Sequence, residues 1–399
     1  MKKQRTTLKD IAQEVGVSIN AVSSVLNPRS PNNIGVSANT RSRIMAAARR
    51  LNYQRNMAAA HLAGIRTKTV GILLTNLLDY RWLPVADAFE AEVNRLGYHC
   101  FIGCTRYDGA LKLDYVRSFL QHRVDGLLLN KIWNEPEVNQ AMELISDTKL
   151  PIAFAHTRWQ GFPAPVIQCD NYRGGQLLAR HLLEVGHRTF IYLASAEDFS
   201  LETVQARISG ARAEVTAAGI SPENFRAFSA GYGTAEDYAE IAFAQLRGPN
   251  PPSVIMVCDD LSAVDVLAGL RAKGIRVPED VAMTGFDDAF DPFIRASVHT
   301  QSNVYPWTFP LTTVRRPHRD IGRKAAQVLI EMIEKQLPLE AVDYVLHNVE
   351  LVIRDSSRLP ERRKVSAKRI LRRRTPAGAN GSGSEFEEDE RLVRRPTKV

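Results

Sequence analysis

The sequence predicts a small all-α head joined to a larger α/β core of two doubly wound parallel-sheet subdomains. Three observations lead to this fold class. Apolar residues recur at helical spacing between Thr7 and Leu51, short β-branched runs then alternate with amphipathic helices, and charge is segregated along the chain. The length of 399 residues is enough for two or more domains, each with its own apolar core.

The head contains three predicted helices. Thr7 can cap the first helix, which ends at Gly16, and Ser18 can cap the second. Ser37 can cap the third helix, after a polar loop. Two short helices separated by a tight turn are typical of a helix-turn-helix motif.

The core alternates strand and helix patterns over about 290 residues. Strand candidates include VGILL, YHCFIGC, VDGLLLN, PIAFAH, TFIYLAS, SVIMVC and VAMTGF, and helix candidates include GGQLLARHLLEVG and LSAVDVLAGLRAKG. Strict alternation predicts parallel sheets covered on both faces, and this length favours two subdomains over one open sheet. Ligands of such folds bind at the carboxyl ends of the strands, often between subdomains.

The charge distribution points to a polyanionic partner for the head. Residues 1–68 hold 12 Lys or Arg and only 2 Asp or Glu, whereas residues 69–360 hold 28 and 36. Residues 361–399 are again basic, with 12 Lys or Arg and 6 Asp or Glu. A strongly basic segment on an acidic body favours a nucleic-acid partner over a merely solvated basic face.

Composition also predicts the compartment. No run approaches the roughly 20 apolar residues of a membrane span, and no apolar segment follows the basic N-terminus. Four scattered cysteines without a Cys-x-x-Cys pattern indicate reduced thiols. We therefore expect a cytoplasmic protein with no membrane partner.

The chain resembles the lactose/galactose repressor (LacI/GalR-type) family of bacterial transcriptional regulators in a series of ordered motifs. These are TLKDIAQEVGVSINAVSSVLN, VSANTRSRIMAAARRLNY, RNMAAAHLAG, VDGLLLN, ARHLLEVGHR, ARISGARAEVTAAGI, VPEDVAMTGFDD and FPLTTVRRP, and they extend from residue 6 to about residue 355. The resemblance implies a helix-turn-helix head, a hinge helix and a core like a periplasmic binding protein. It also implies a sequence-specific repressor that binds double-stranded operator DNA as a homodimer and responds to a small-molecule effector, such as a sugar.

Periodicity and composition, together with the resemblance, predict a division of the chain into four parts. They are a DNA-binding head at 1–54, a hinge helix and linker at 55–68, an effector-binding and dimerisation core at 69–357, and a disordered tail at 358–399. Within the core, we expect an N-subdomain of about 69–169 plus 311–335 and a C-subdomain of about 170–310 plus 336–357.

The resemblance, together with the general chemistry of groove recognition, predicts the DNA contacts. Ile19, Asn20 and Ser24 match the base-reading positions of the family, and Asn20 can bond to an adenine edge. Leu62 matches the hinge residue that is wedged into the minor groove. The predicted DNA-binding residues are Thr7, Ser18, Ile19, Asn20, Ala21, Ser23, Ser24, Asn27, Thr40, Asn56, Ala59 and Leu62.

The resemblance likewise predicts an effector site in the cleft of the core. Arg207 matches a ligand-gripping Arg, whose planar fork can bind vicinal hydroxyls or a carboxylate. Asp287 matches a position that accepts hydrogen bonds from ligand hydroxyls, and Asp259, which stands where many members have Asn, would also be an acceptor. The predicted effector-binding residues are Thr75, Asn76, Trp82, Asn130, Arg207, Tyr232, Asp259, Asp287 and His318. A structural ion pair remains the alternative for Arg207, and ordinary packing for Trp82 and His318.

The sequence contains no recognisable catalytic set, so we predict no enzymatic activity, no cofactor and no metal. Phosphate-loop and Gly-x-Ser-x-Gly patterns are absent, and His122, His181 and His187 have no partners at metal-ligand spacing. Two alternatives stay open. A transport solute-binding protein would need a secretory signal and leaves the basic head unexplained, and a metabolic enzyme would need a catalytic set.

Overall fold

The computed structural model describes residues 6–26, 35–53, 66–76, 81–106, 108–130, 136–157, 159, 161–231, 233–288, 310–338, 340 and 342–360. The predicted hinge helix and the C-terminal segment from residue 361 lie outside these residues.

The head is a three-helix unit. Its helices are α1 (Leu8–Val15), α2 (Ile19–Leu26) and α3 (Ala38–Arg50). A small apolar core holds them together, with Ile11 from α1, Val22 and Val25 from α2, and Ile44 from α3. The predicted helix-turn-helix motif is therefore confirmed.

Local sequence signals set the limits of the head helices. Thr7 caps α1 in a reciprocal capping box with Asp10, which pairs two otherwise unsatisfied amides. Gly16 ends α1 with a left-handed φ of 72°, a conformation that only glycine adopts without strain. Ser37 caps α3 by accepting a hydrogen bond from the Thr40 amide. The predicted caps at Thr7 and Ser37 are confirmed.

The core alternates strands with helices. Its elements are β1 (Thr69–Leu74), α4 (Leu83–Arg95), β2 (His99–Cys104), α5 (Gly109–Gln121), β3 (Gly126–Leu129), α6 (Pro136–Thr148), β4 (Ile152–Ala155), β5 (Val166–Cys169), α7 (Asn171–Val185), β6 (Phe190–Ala194), α8 (Ala196–Phe199), α9 (Glu202–Ala217), β7 (Phe225–Ser229), α10 (Ala235–Arg247), β8 (Val254–Val257), α11 (Asp260–Ala272), β9 (Ala282–Thr284), β10 (Thr313–Arg315), α12 (His318–Lys335), β11 (Asp343–Leu346) and β12 (Glu350–Val352). Within the described ranges, no helix is long and apolar enough to cross a membrane.

The strands form two parallel sheets, as the alternating pattern predicts. The first sheet has the order β11-β5-β4-β3-β1-β2, and the second has the order β7-β6-β8-β9. All pairings within both sheets are parallel. A short antiparallel pair, β10 with β12, accompanies them. The predicted α/β core of two parallel-sheet subdomains is confirmed.

Both faces of the first sheet are covered by helices. Along β1, Ile72 and Leu74 belong to the apolar cluster shared with α4 and α12, whereas Leu73 faces the cluster shared with α5 and α6. This alternation follows from the two-residue period of a strand. Because both faces are buried, the strand sequence is continuously apolar.

One predicted subdomain boundary is wrong. Residues 336–357 were expected in the C-subdomain, but β11 (Asp343–Leu346) pairs in parallel with β5 at the edge of the first sheet. The edge position explains the weak sequence signal, because β11 alternates exposed and half-buried residues instead of showing a buried run. The end of the segment does lie on the second sheet, where Ser356 Oγ donates to the Met283 carbonyl of β9. Residues 312–315 run beside the second sheet, with bridges from Thr312 to Thr284 and from Arg315 to Asp287, before the chain enters α12.

Candidate functional site

A cavity of about 130 Å³ lies where the carboxyl ends of the two sheets meet. Thr75 follows β1, Asn130 follows β3 and His156 follows β4 on one wall. Asp259 follows β8 and Asp287 follows β9 on the other wall. This is the position at which open α/β sheets bind ligands.

Arg207 lies buried on the cavity wall, on the second turn of α9. Its Nε donates to Asn171 Oδ1 at 2.9 Å and its Nη1 donates to the Cys258 carbonyl at 2.6 Å. The guanidinium also lies over the Phe286 ring, 3.9 Å from its centroid. These neutral partners use two of the five N–H donors and hold the fork in a fixed orientation beside the cavity.

Two glycines set the position of the helix that carries Arg207. A Cβ on Gly175 would lie 2.1 Å from the Arg207 carbonyl oxygen, and one on Gly210 would lie 2.0 Å from the Tyr172 carbonyl oxygen. The backbones of α7 and α9 are therefore in direct contact, and only glycine fits at these two positions.

Asp287 and Arg316 form a buried ion pair in the cavity wall. Arg316 Nε lies 2.7 Å from Asp287 Oδ1, although the two groups are not aligned for a linear hydrogen bond. Burial raises the pKa of Asp287, while Arg316 and Arg207 oppose that rise. Asp287 also has a φ of 122°, a strained value for a residue with a Cβ. Such strain is typical of positions that aim a side chain at a functional site.

Asp198 and Asp259 place two carboxyl groups side by side in the cavity. Asp259 accepts a hydrogen bond from the Ser262 amide and so caps α11, and Asp198 accepts one from the Ser195 hydroxyl. Burial raises the pKa of Asp198, and the charge of Asp259 raises it further. Facing oxygens of this kind suit a ligand that brings several hydroxyl donors.

The same two carboxyls and Cys258 are also the group of side chains nearest to a metal-ligand geometry within the described residues. One ligand atom from each of the three lies within 4.8 Å of the others. However, Arg81 Nη1 lies 3.9 Å from Asp259 Oδ2, and Arg207 bonds to the Cys258 carbonyl. Burial raises the pKa of the Cys258 thiol well above its usual range. A neutral thiol is a poor metal ligand, and the two nearby guanidinium groups oppose the binding of a cation.

The opposite wall is neutral and partly aromatic. Thr75 Oγ1 and Asn130 Oδ1 are buried and have no hydrogen-bond partner among the described residues. The Trp82 and His156 rings pack edge to face, with centroids 5.1 Å apart. Burial, reinforced by Arg316, lowers the pKa of His156 well below its usual range, so this ring is neutral at pH 7. A bound polar ligand would satisfy the buried oxygen atoms, which are otherwise costly to leave unpaired.

The first turn of α2 is the exposed end of the helix-turn-helix motif. Ile19 is 47% exposed although it is apolar, and Asn20 and Ser18 are also exposed. Ser18 Oγ accepts a hydrogen bond from the Ala21 amide at 3.1 Å, so it caps the helix as well as facing outward. An exposed Ile–Asn pair at a helix N-terminus is the geometry with which recognition helices meet base edges.

Comparison with known proteins identifies both parts of the chain. Residues 7–56 match the family model of bacterial regulatory proteins of the lacI family, and residues 179–357 match a periplasmic binding protein-like domain. The chain therefore carries a lacI-family head and a periplasmic binding protein-like core. Members of this family are DNA-binding transcriptional regulators, and the expected fold and family are therefore confirmed.

Similarity to individual lacI-family proteins extends over most of the chain. The ribose operon repressor of Bacillus subtilis is 29% identical over 330 residues, which are 83% of this chain and 92% of that protein. The transcriptional repressor PurR of Pasteurella multocida is 27% identical and covers 88% of this chain and 98% of its own length.

Solved structures of lacI-family proteins share the fold. The lac repressor dimer bound to operator and the anti-inducer ONPF superposes with a TM-score of 0.65 at 24% identity, over 89% of this chain and 99% of that one. The complex of the regulator CelR with cellobiose gives a TM-score of 0.57 at 25% identity, over 88% and 100% of the two chains.

The predicted effector residues divide into three groups. Thr75, Trp82, Asn130, Arg207, Asp259 and Asp287 all line the cavity. Asn76 and His318 are not among the lining residues, although the His318 ring packs against the lining residue His156, with centroids 5.5 Å apart. Tyr232 lies outside the described residues. The ligand contacts themselves remain predictions.

Sequence reasoning missed ten of the lining residues, and Arg81, His156, Asp198 and Arg316 are the acidic and basic ones among them. Arg316 lies inside the motif FPLTTVRRP, and His156 is the last residue of the predicted strand PIAFAH, so both had a positional signal. Asp198 lies on a helix of four residues, too short to produce a periodic pattern.

The predicted DNA-binding residues are less uniformly placed. Thr7, Ser18, Ile19 and Asn20 are exposed, and Ala21, Ser23 and Thr40 are half-buried. Asn27, Asn56, Ala59 and Leu62 lie outside the described residues. The prediction for Ser24 is wrong: this residue is 2% exposed, because its short side chain does not extend beyond the surface of the head.

Proposed function

We propose that this chain is a homodimeric transcriptional repressor whose affinity for operator DNA is set by a sugar-like metabolite bound in the core cavity. The composition of the cavity wall supports this proposal. The wall brings together the Arg207 guanidinium, two carboxyl groups and the buried, unpartnered oxygen atoms of Thr75 and Asn130. Such a set binds several hydroxyl groups at once. The chain acts by binding rather than by catalysis, and we place it in the bacterial cytoplasm.

A sugar-like ligand fits the mixture of groups in the cavity. Trp82 offers an apolar ring that can cover the C–H face of a sugar, and Asp198 and Asp259 offer acceptors for its hydroxyls. The names of similar proteins agree with this class, since they include a ribose operon repressor, a CelR–cellobiose complex and a regulator with bound ribose.

DNA binding is proposed for the exposed start of α2. Ile19 and Asn20 would face base edges in the major groove, and the hydroxyls of Thr7 and Ser18 would contact phosphates. The charge of the head supports this role, with 12 basic and 2 acidic residues in positions 1–68. Binding of this kind weakens steeply with salt, because phosphate contacts release counterions.

A dimer is proposed through the core. Strand β2 is the edge of the first sheet, and its Phe101 and Ile102 are 46% and 50% exposed. The outer side of β2 has no neighbouring strand in the described sheet. Exposed apolar side chains at such an edge promote association between protein molecules. The lac repressor, to which the chain is similar in fold, is described as a dimer bound to operator.

The effector part of the proposal is tested by thermal shift and calorimetry against ribose, cellobiose and a panel of other sugars. We expect at least one sugar to raise the melting temperature of the wild type, and Arg207→Ala to abolish that shift. Arg212→Ala is the matched control, because Arg212 is an exposed arginine on the same helix. A full response in Arg207→Ala would remove this residue from the site, and no response to any panel member would refute the sugar class.

The DNA part is tested separately, with fragments selected from a random pool by the full-length protein. We expect Asn20→Ala to change the preferred base at one position of each half-site. Arg207→Ala should retain wild-type affinity for the selected DNA. A mobility shift that is insensitive to both sequence and salt would contradict sequence-specific binding.

A further inference from the structure

Two packed helices, α4 and α12, begin at the cavity and end at the first described residues after the hinge. Trp82 directly precedes α4, and His318 is the first residue of α12. The His156 ring lies between them, with its centroid 5.1 Å from Trp82 and 5.5 Å from His318. One end of the helix pair is therefore part of the cavity wall.

Along their length, α4 and α12 are joined as one body. A Cβ on Gly322 would lie 2.2 Å from the Val85 carbonyl oxygen, so the two backbones touch. Further along, Gln327 Nε2 donates to Glu92 Oε1 at 2.8 Å. With 18 residues, α12 extends about 27 Å at the rise of an α-helix. Backbone contact and cross-helix bonds prevent one helix from sliding without the other.

The far ends of both helices meet at Glu334. Tyr98, just beyond α4, donates its hydroxyl to Glu334 Oε1 at 2.7 Å. Arg66 Nη1 donates to Glu334 Oε2 at 3.0 Å, and Lys68 Nζ also pairs with this carboxylate. The Lys68 ammonium lies over the Tyr98 ring, 4.0 Å from its centroid. A single carboxylate thus holds the two basic side chains that follow the hinge.

The backbone of the same segment is fixed by a second carboxylate. Asp125 accepts hydrogen bonds from the amides of Thr67 and Lys68 at 3.2 and 2.7 Å. Lys68 has a φ of 56°, in the left-handed region, so the chain turns sharply at this anchor before entering β1. We call the group of Arg66, Thr67 and Lys68 with Asp125 and Glu334 the linker anchor.

We propose that the α4–α12 pair is the mechanical connection between the ligand cavity and the linker anchor. A ligand that displaces Trp82 or His156 would move the start of both helices, and Glu334 and Tyr98 at their far ends would move the anchor. The presence of a ligand and the DNA readout rest on the proposed function. The linker anchor and its connection to the cavity can be measured without either.

The anchor is tested first, by limited trypsin digestion of the full-length protein with mass-spectrometric detection of cuts after Arg66 and Lys68. Trypsin must withdraw these side chains from Glu334 before it can cut. We expect Glu334→Gln to accelerate both cuts roughly fivefold, the scale of a small surface ion-pair network. Glu331→Gln is the control, since Glu331 makes an exposed pair with Lys335 on the same helix end. Equal rates in all three proteins would overturn the anchor.

The connection is tested next, by hydrogen exchange of the amides of residues 67–69 without ligand or DNA. His318→Ala alters the cavity end of the pair, and His156→Ala is the second variant if the first fails to fold. We expect either variant to change exchange at residues 67–69 severalfold while the strand Phe190–Ala194 stays protected. We also expect its effect to be non-additive with Glu334→Gln. Unchanged exchange in the cavity variants, or strict additivity, would overturn the connection while leaving ligand and DNA binding untouched.

Discussion

Replacing Gly175 by Ala should both destabilise the core and misplace the proposed ligand-binding arginine. The new Cβ would lie 2.1 Å from the Arg207 carbonyl oxygen, whereas the Cβ atoms of real proteins essentially never lie within 3.0 Å of such an atom. The helices α7 and α9 must therefore separate by about 0.9 Å. Overpacking of this kind costs up to about 3 kcal/mol, and the better helix propensity of Ala returns about 1 kcal/mol. The expected net loss is about 2 kcal/mol.

Thermal unfolding and calorimetry would measure this effect. A loss of about 2 kcal/mol corresponds to a fall of about 4–8 °C in the melting temperature of a domain of this size. Affinity for the sugar identified in the panel should fall by roughly tenfold or more, because a binding site tolerates displacements of only about 0.5 Å. Ser209→Ala, at an exposed position on α9, is the control and should change neither quantity. A melting temperature that is unchanged or raised in Gly175→Ala would refute the packing argument.

Four further outcomes are expected. Thr7→Ala removes the capping box with Asp10 and should lower the free energy of unfolding of the head by about 1 kcal/mol. This loss is measured by thermal unfolding, with the transition of the head followed separately from that of the core. Ile102→Glu places a charge on the β2 edge and should shift the protein towards monomer in analytical ultracentrifugation; an unaffected dimer would contradict the proposed interface. Leu62→Ala should weaken affinity for the selected DNA with the core still folded. Unchanged affinity would contradict the predicted insertion of Leu62 into the minor groove. Glu334→Gln should make the free energy of unfolding depend less on pH below pH 4.5. The pKa of Glu334 is lowered from 4.5 to about 2, so the contribution of its carboxylate to stability is present above pH 4.5 and is lost towards pH 2.

Much of the fold follows from local sequence signals. The capping residues Thr7 and Ser37 and the stop at Gly16 were readable because each is a short-range interaction between neighbours in sequence. The buried strands were readable because parallel strands covered on both faces are continuously apolar. Strand β11 was not, since an edge strand with alternating exposure carries little apolar signal and its partner β5 lies far away in sequence.

The cavity was predictable where it is built from the ends of strong strands. Thr75, Asn130 and Asp259 follow buried runs, so parallel topology alone brings them to one edge. Asp198 and Arg316 were not predictable in this way, because the first lies on a single helical turn and the second on the crossing segment between the two sheets. Ser24 illustrates the opposite failure, since a matching position in a motif does not determine whether a short side chain remains exposed.

The ion pair of Asp287 with Arg316 explains why a ligand can alter this core. Arg316 lies two residues before α12, and Asp287 lies three residues after β9, so the pair joins the segment leading into a helix of the first sheet to the segment that follows a strand of the second. A buried pair is stable only while its hydrogen-bonding needs are met, and this one is imperfectly aligned. A ligand hydroxyl that bonds to Asp287 competes with Arg316, and relaxation of Arg316 acts directly on the start of α12. The strained φ of 122° at Asp287 holds the carboxylate where this competition takes place. We therefore propose that ligand binding is coupled to the position of α12 at this pair of side chains.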